Sequence, residues 1–339
     1  MALALIAAFA ALAWFLVSLF QPFKGGGTGS VPVTIPSGAS VGQIGDILAE
    51  RGVVSSSFFF ELRARLGGKS GDLKPGTYTL KHDMSYSAAL NALTKGVALK
   101  IVRVTIPEGQ DRTQVAQLVK ADGLTGNYLT DSVRSGDLNL RRYGGSHARN
   151  LEGFLFPATY ELKRGQSAGD LVGKQLQAFK DNLAGLNLSY ARKKNLTVYD
   201  VVTIASMVER EAAVPADRPL VASVIYNRLH GHMPLQIDAT LRFVLHDWDK
   251  PLTLSQLASR SPYNTRNRTG LPPGPIGNPG LASLRAAAHP ARTSFFYYVN
   301  KPFTCHKLAF ASTAAQQAIN VARYNAARAK NGGREPVKC

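Results

Sequence analysis

Met1 to Phe20 contains no charged side chain and only one clearly polar one, Ser18. A helix of about 20 residues rises roughly 30 Å, the thickness of a bilayer's hydrocarbon core. The bulky run Phe20-Gln21-Pro22-Phe23 occupies the place where a signal peptidase needs small side chains. Residues 1–22 therefore read as an uncleaved transmembrane anchor. No Lys or Arg precedes the run to set its orientation. The commoner arrangement, a short tail inside and the rest of the chain outside, is the one expected here. Gly25-Gly26-Gly27-Thr28-Gly29-Ser30 follows, and residues 23–30 read as a flexible tether.

Beyond the tether the chain repeats itself. Val33-Thr34-Ile35-Pro36-Ser37-Gly38 returns about seventy residues later as Val104-Thr105-Ile106-Pro107-Glu108-Gly109. Each copy leads into a stretch of helical period, Val41, Ile44, Ile47, Leu48 in the first and Val115, Leu118, Val119 in the second. Each stretch stops at a glycine, Gly52 or Gly123. Strand, Pro-x-Gly turn, amphipathic helix and glycine stop is thus predicted twice. With a helix over Phe58 to Leu66, a strand from Gly76 to Leu80 and helices from Ser167 to Leu183 and Ser312 to Lys330, the fold class is α+β.

The formal net charge of +18 directs the surface toward polyanions: nucleic acid, anionic headgroups or an acidic wall polymer. No nucleic-acid motif appears, and none is expected to bind. Cys305 and Cys339 either pair and hold the C-terminal tail or stay as two free thiols. His230 and His232 have no third ligand near in sequence, so they read as a solvated pair and no metal or cofactor is expected.

Thr197 to Ala213 is the informative helix. Thr197 with Asp200 forms a capping-box pattern, and Pro215 ends the run. On a helical wheel Ile204, Val208, Val201, Ala212, Ala205, Val198 and Val202 fill one arc of about 160°. Glu209 falls inside that arc, while Arg210 and Glu211 fall on the far side. An acid on an apolar face loses hydration, which disfavours its charged form. A proton-carrying carboxyl is what a glycosidic leaving oxygen needs. An acid at the edge of the stripe, held by Arg228 or another cation, is the rival reading.

Downstream lie Leu235-Gln236-Ile237-Asp238, Ser261-Pro262-Tyr263-Asn264-Thr265 and Gly270-Leu271-Pro272-Pro273-Gly274-Pro275-Ile276. Amides, hydroxyls and an aromatic ring on a proline-stiffened loop suit a sugar groove, and stiffness lowers the entropy lost on binding.

These segments, with Ala205-Ser206-Met207-Val208-Glu209-Arg210-Glu211 and Leu151-Glu152-Gly153-Phe154-Leu155-Phe156-Pro157, resemble the endolytic murein transglycosylases of the YceG-like family. The likeness runs from the anchor to about Ala327. It implies a single-pass inner-membrane protein with a LysM-like subdomain, residues 31–100, a catalytic domain, 101–327, and a loose tail, 328–339. It further implies cleavage between N-acetylmuramic acid and N-acetylglucosamine in nascent strands, with anhydro-muramoyl ends. Glu209 matches the family's catalytic glutamate. Gln236, Asp238, Ser261, Tyr263, Asn264, Thr265, Pro275, Asn278, Glu152 and His306 are the expected substrate contacts. The expected partners are glycan strands, the cytoplasmic membrane and wall synthases. Two departures stand out: Ala158 follows Phe-Pro where the family carries an acid, and Thr304 to Phe310 replaces a Gly-x-His-x-Phe-like strand, leaving His306 as the matching histidine. Two rivals stand beside this: a muramidase-type hydrolase, which would need a second carboxylate for Glu209 such as Asp238 or Glu152, and a cell-wall-binding scaffold without catalysis.

Overall fold

The computed structural model describes residues 1–97 and 101–339. The chain divides into two compact units, one on each side of residues 98–100. The boundary expected at residue 100 lies outside the described residues.

The first unit contains α1 (Ala2–Phe20), β1 (Thr28–Ile35), α2 (Val41–Glu50), α3 (Ser57–Leu66), β2 (Gly76–His82) and α4 (Tyr86–Lys95). β1 and β2 pair antiparallel, with Val33 opposite Tyr78 and Val31 opposite Leu80. Alternation along β1 buries Val31, Val33 and Ile35, which meet Leu48, Phe60 and Leu93 from the helices. The segment expected as a free tether is instead built into this unit. β1 already begins at Thr28, and Ser85 N–H donates to the Gly25 carbonyl at 2.9 Å. Backbone groups paired this way cannot act as a swivel.

The second unit contains β3 (Ile101–Thr105), α5 (Arg112–Ala121), α6 (Tyr128–Asp131), β4 (Thr159–Lys163), α7 (Ala168–Ala184), α8 (Ser189–Lys193), α9 (Val198–Glu211), α10 (Arg218–His230), α11 (Ala239–Leu245), α12 (Leu254–Leu257), α13 (Leu281–Ala288), β5 (Tyr297–Asn300), β6 (Leu308–Ala311) and α14 (Ala314–Lys330). β3 pairs with β4 and β5 with β6, both antiparallel. The architecture is mixed α+β, with small two-stranded sheets around a helical core.

Both repeat copies fold as strand, turn and helix. Gly38 and Gly109 take φ values of 79° and 81°, and Gly52 and Gly123 take 67° and 73°. These are left-handed values that glycine adopts without steric cost. Ser40 with Gln43, and Asp111 with Gln114, form reciprocal capping boxes. The tail departs from expectation. A Cys305–Cys339 disulfide, a parallel bridge of Thr304 to Val337 and a Phe303 N–H to Pro336 carbonyl bond fasten residues that read as loose.

Candidate active site

α9 is the axis of the second unit. Thr197 Oγ1 accepts from Asp200 N–H at 3.2 Å, and the Asp200 carboxylate accepts from Thr197 N–H at 2.8 Å. Val201, Val202, Ile204, Ala205 and Val208 are fully buried, as the wheel requires. Thr203, Ser206 and Met207, outside the apolar arc, are buried as well. The helix is enclosed on nearly every side, and its two small polar side chains find partners there. Ser206 Oγ donates to the Thr203 carbonyl at 2.7 Å and accepts from Ile276 N–H at 3.0 Å, tying the proline-rich loop to the helix.

Glu209 lies in the last turn of this helix with its side chain only 6% exposed. Its Oε1 accepts from Arg218 Nη2 at 2.9 Å, and its Oε2 accepts from Gly280 N–H at 2.9 Å. The carboxyl is as dry as its wheel position implies, yet both oxygens already hold donors. The cation is Arg218, at the start of α10, and not Arg228. Arg228 points to backbone carbonyls of Leu235 and Phe296.

A second carboxyl faces the first. Glu108, in the Pro-x-Gly turn of the second repeat copy, places Oε2 3.9 Å from the same Arg218 Nη2. Its side chain is half exposed. Burial pushes the Glu108 carboxyl above its ordinary value; the negative charge of Glu209 adds to this and Arg218 opposes it. Gly109 N–H donates to the Asn278 carbonyl at 2.8 Å and Asn278 N–H to the Gln110 carbonyl at 3.0 Å, which locks this turn to the Gly277–Gly280 loop. The approach is close enough that a Cβ on Gly280 would overlap the Glu108 carboxylate, and one on Gly109 would lie 3.3 Å from Glu209 Cγ.

These groups open on a cavity of about 370 Å³, lined by Glu108, Gly109, Glu209, Arg210, Glu211, Ala213, Asn300 and His306. Glu211, placed on the far side by the wheel, is covered by the β5–β6 hairpin. Tyr298 donates its hydroxyl to Glu211 Oε2 at 3.0 Å. Burial pushes Glu211 up to about 7, against the stabilising Tyr298 hydroxyl. No helical wheel contains that hairpin, so sequence periodicity had no means of locating it.

Of the residues selected from sequence, Glu209 and His306 line this cavity together. The others are distributed through the framework behind it. Glu152 is buried, accepting from Arg112 N–H at 3.0 Å and from Asn278 Nδ2 at 3.1 Å, and burial pushes it to about 8. Asn278 is fully buried, and its Oδ1 accepts from Gly153 and Leu155 N–H at 2.9 and 3.0 Å. Asn264 donates to the Leu257 and Ser259 carbonyls, and Thr265 Oγ1 accepts from Ile237 N–H. Their hydrogen-bonding capacity is spent inside the protein, as buried polar groups require. Ser261 Oγ accepts from Tyr263 N–H, Tyr263 leans on Phe243, and Pro275 packs against Gly153. Gln236 sits at φ 55°, and Asp238 pairs with Arg266 at 2.6 Å. Neither Asp238 nor Glu152 lines the cavity with Glu209.

Glu108, Arg218 and Gly280 are the groups that sequence reasoning missed. One signal for Glu108 was available: the two repeat copies differ at the centre of their turns, Ser37 against Glu108.

The comparisons with known proteins agree over most of the length. The model of the YceG-like family matches residues 33–323. An endolytic murein transglycosylase of Bacillus subtilis (strain 168) is 32% identical over 302 residues, covering 84% of this chain and 82% of that protein. A protein of the same name from Streptococcus pneumoniae (strain ATCC BAA-255 / R6) is 32% identical over 324 residues, 87% of this chain and 58% of that one. The crystal structure of a yceG-like protein from Listeria monocytogenes superposes with a TM-score of 0.56 at 28% identity, covering 86% of this chain and 99% of that one. The family match takes in Glu108, Glu209, Arg218 and Gly280 alike, and on this ground the chain belongs to the YceG-like family.

Proposed function

We propose that this chain is an endolytic lytic transglycosylase. It cleaves the β-1,4 bond between N-acetylmuramic acid and N-acetylglucosamine in nascent peptidoglycan and leaves 1,6-anhydro-muramoyl ends. The observation that carries the reading is Glu209, buried yet opening on a cavity with a second carboxyl across one guanidinium. The names of the curated relatives point to the same substrate.

In the proposed reaction, Glu209 gives a proton to the glycosidic oxygen as the C1–O bond breaks toward an oxocarbenium-like state. It then takes the proton of the muramoyl 6-hydroxyl as that oxygen bonds to C1. The nucleophile belongs to the substrate and is already positioned, so no second protein group has to activate water. Glu108 and Glu209 share Arg218, and two carboxyls so close disfavour a second negative charge. Glu209 regains its proton from the 6-hydroxyl, so the cycle consumes none; Glu108, half exposed, keeps the pair's shared proton in exchange with solvent between turnovers. His306, Asn300 and the open side of the cavity are placed to meet the sugar hydroxyls and acetamido group.

The same pair supports one rival, a muramidase in which Glu108 activates water. Digestion of purified peptidoglycan followed by mass spectrometry separates them. Anhydro ends, lost in Glu209→Gln, support the transglycosylase; reducing ends exclude it.

The wider assignment follows the same proposal. α1 is long and apolar enough to cross a membrane. We place it in the cytoplasmic membrane with the catalytic domain, residues 101–327, outside. Residues 31–100 form a LysM-like module for glycan, and wall synthases act nearby.

A further inference from the structure

α1 does not stand free of the first unit. Trp14 and Phe15 pack edge-on against Phe59 of α3, with ring centroids 6.2 and 5.5 Å apart. Arg63, also on α3, lies over the Phe20 ring at 4.6 Å. The exit of α1 is fastened too. Gln21 adopts φ 42°, its Oε1 accepts from Tyr86 N–H at 3.0 Å, and its Nε2 donates to Ser55 Oγ at 3.0 Å. Helix and module are one body.

That attachment sets a depth. The 19 residues of α1 rise roughly 28 Å, barely the hydrocarbon thickness of about 30 Å. Residues 2–13 alone would reach only about 18 Å, too short to cross. If α1 spans the bilayer, Trp14 to Phe20 must lie in it, and whatever packs on Trp14 enters as well. Phe59 therefore sits about 9 Å beneath the level of Phe20.

The outer face of α3 is composed for that place. Phe58, Leu62, Leu66 and Phe59 fall on one arc of about 100°, with Arg65 at one margin and Arg63 at the other. Phe58 and Leu66 are 61% and 63% exposed, and Phe23, beside the exit of α1, is 93% exposed. Lying side by side next to the exit of α1, they form one exposed apolar strip. At a bilayer surface the rings and leucines enter the acyl boundary; Arg63 is engaged over the Phe20 ring, while Arg65, paired with Glu61 yet 69% exposed, faces the anionic headgroups from the other margin.

We propose that α3 is an interfacial helix which seats the first unit on an anionic lipid surface, so that the module is held flat at the membrane and not hung from it by a tether. This rests on the reading of α1 as a span.

The test uses the full chain in vesicles of phosphatidylglycerol and phosphatidylethanolamine. The chain has two tryptophans, Trp14 and Trp248. In Trp248→Phe the remaining emitter is Trp14. In Trp14→Phe/Trp248→Phe/Phe58→Trp it is position 58, and in Trp14→Phe/Trp248→Phe/Phe303→Trp it is an exposed site of the second unit. Lipids brominated at a shallow acyl position are expected to remove about half of the emission at position 58, and to leave position 303 unchanged. Quenching of Trp14 with a water-like, unquenched position 58 overturns the seating while keeping the span. If Trp14 also escapes bromine, the span reading fails and the seating falls with it.

Discussion

The two copies of the Val-Thr-Ile-Pro-x-Gly repeat share strand, turn, capping box and terminal glycine, yet the second faces a cavity lined by acids and the first an open surface. At Gly38 of the first copy an added Cβ would meet nothing within 4 Å, and the turn is open to water. At Gly109 of the second copy the turn is pinned through Asn278 to the Gly277–Gly280 loop, next to Glu209. The local code is the same because strand alternation, the left-handed glycine and the cap are all satisfied within about ten residues. What differs is what closes over the turn. The lesson is that a turn becomes part of a site when distant segments remove its water and place a charge beside it.

The largest break in that comparison is expected at the residue the second copy faces. Glu209→Gln should lower glycan cleavage by about 10³-fold, read by mass spectrometry of digested peptidoglycan, with the melting temperature close to wild type. An active Glu209→Gln enzyme would remove the acid–base role.

Next in size is the exchange of the turn residue itself. Glu108→Ser gives the second copy the first copy's side chain, and activity is expected to fall roughly 10- to 100-fold. The Glu108 carboxyl is raised by burial and by Glu209, so its protonated form is lost as pH rises. Wild-type activity should decline on the alkaline side, and Glu108→Ser should shift that limb, since the neighbouring negative charge across Arg218 is gone. A pH–rate profile identical to wild type would reduce Glu108 to a bystander.

A smaller effect probes the network that pins the second copy. Glu152 is raised by burial from 4.5 to about 8 in the folded state. Its folded value exceeds its unfolded value, so its contribution to stability is fully present below the unfolded value and disappears as pH rises through about 8. Urea unfolding of Glu152→Gln at about pH 5 and about pH 8 should show a smaller loss of stability than wild type, by about 1–2 kcal/mol. Equal slopes would mean that Glu152 is not held dry.

The finest distinction comes from the glycines. Gly38→Ala and Gly109→Ala each force a side chain into left-handed backbone, at about 1 kcal/mol. Both should lower the melting temperature by a few degrees, about 2–4 °C. Only Gly109→Ala should also lower activity, since its Cβ would press on Glu209. Equal activity in the two would break the contrast between the copies.

Much of this was legible in the chain. The apolar run of α1, the two repeat copies and the Thr197–Asp200 cap are local patterns, read within a few turns. Glu209 was legible because one helix face records both period and anomaly. The groove residues were misleading for a physical reason. Amides and hydroxyls beside prolines look alike whether they bind a sugar or satisfy a buried loop, and Asn264, Thr265 and Asn278 do the latter. Cys305 and Cys339 offered no rule to choose between pairing and freedom, and folding brought them together.

Sequence alone determined the elements and the dry helix face that carries Glu209: hydropathy, periodicity and caps act over neighbours, and neighbours are written in order. Tertiary structure decided the company Glu209 keeps. Arg218, the Gly280 amide, Glu108 and the hairpin over Glu211 come from segments distant in the chain. Their convergence depends on how helices and loops pack about α9, and no local pattern encodes that.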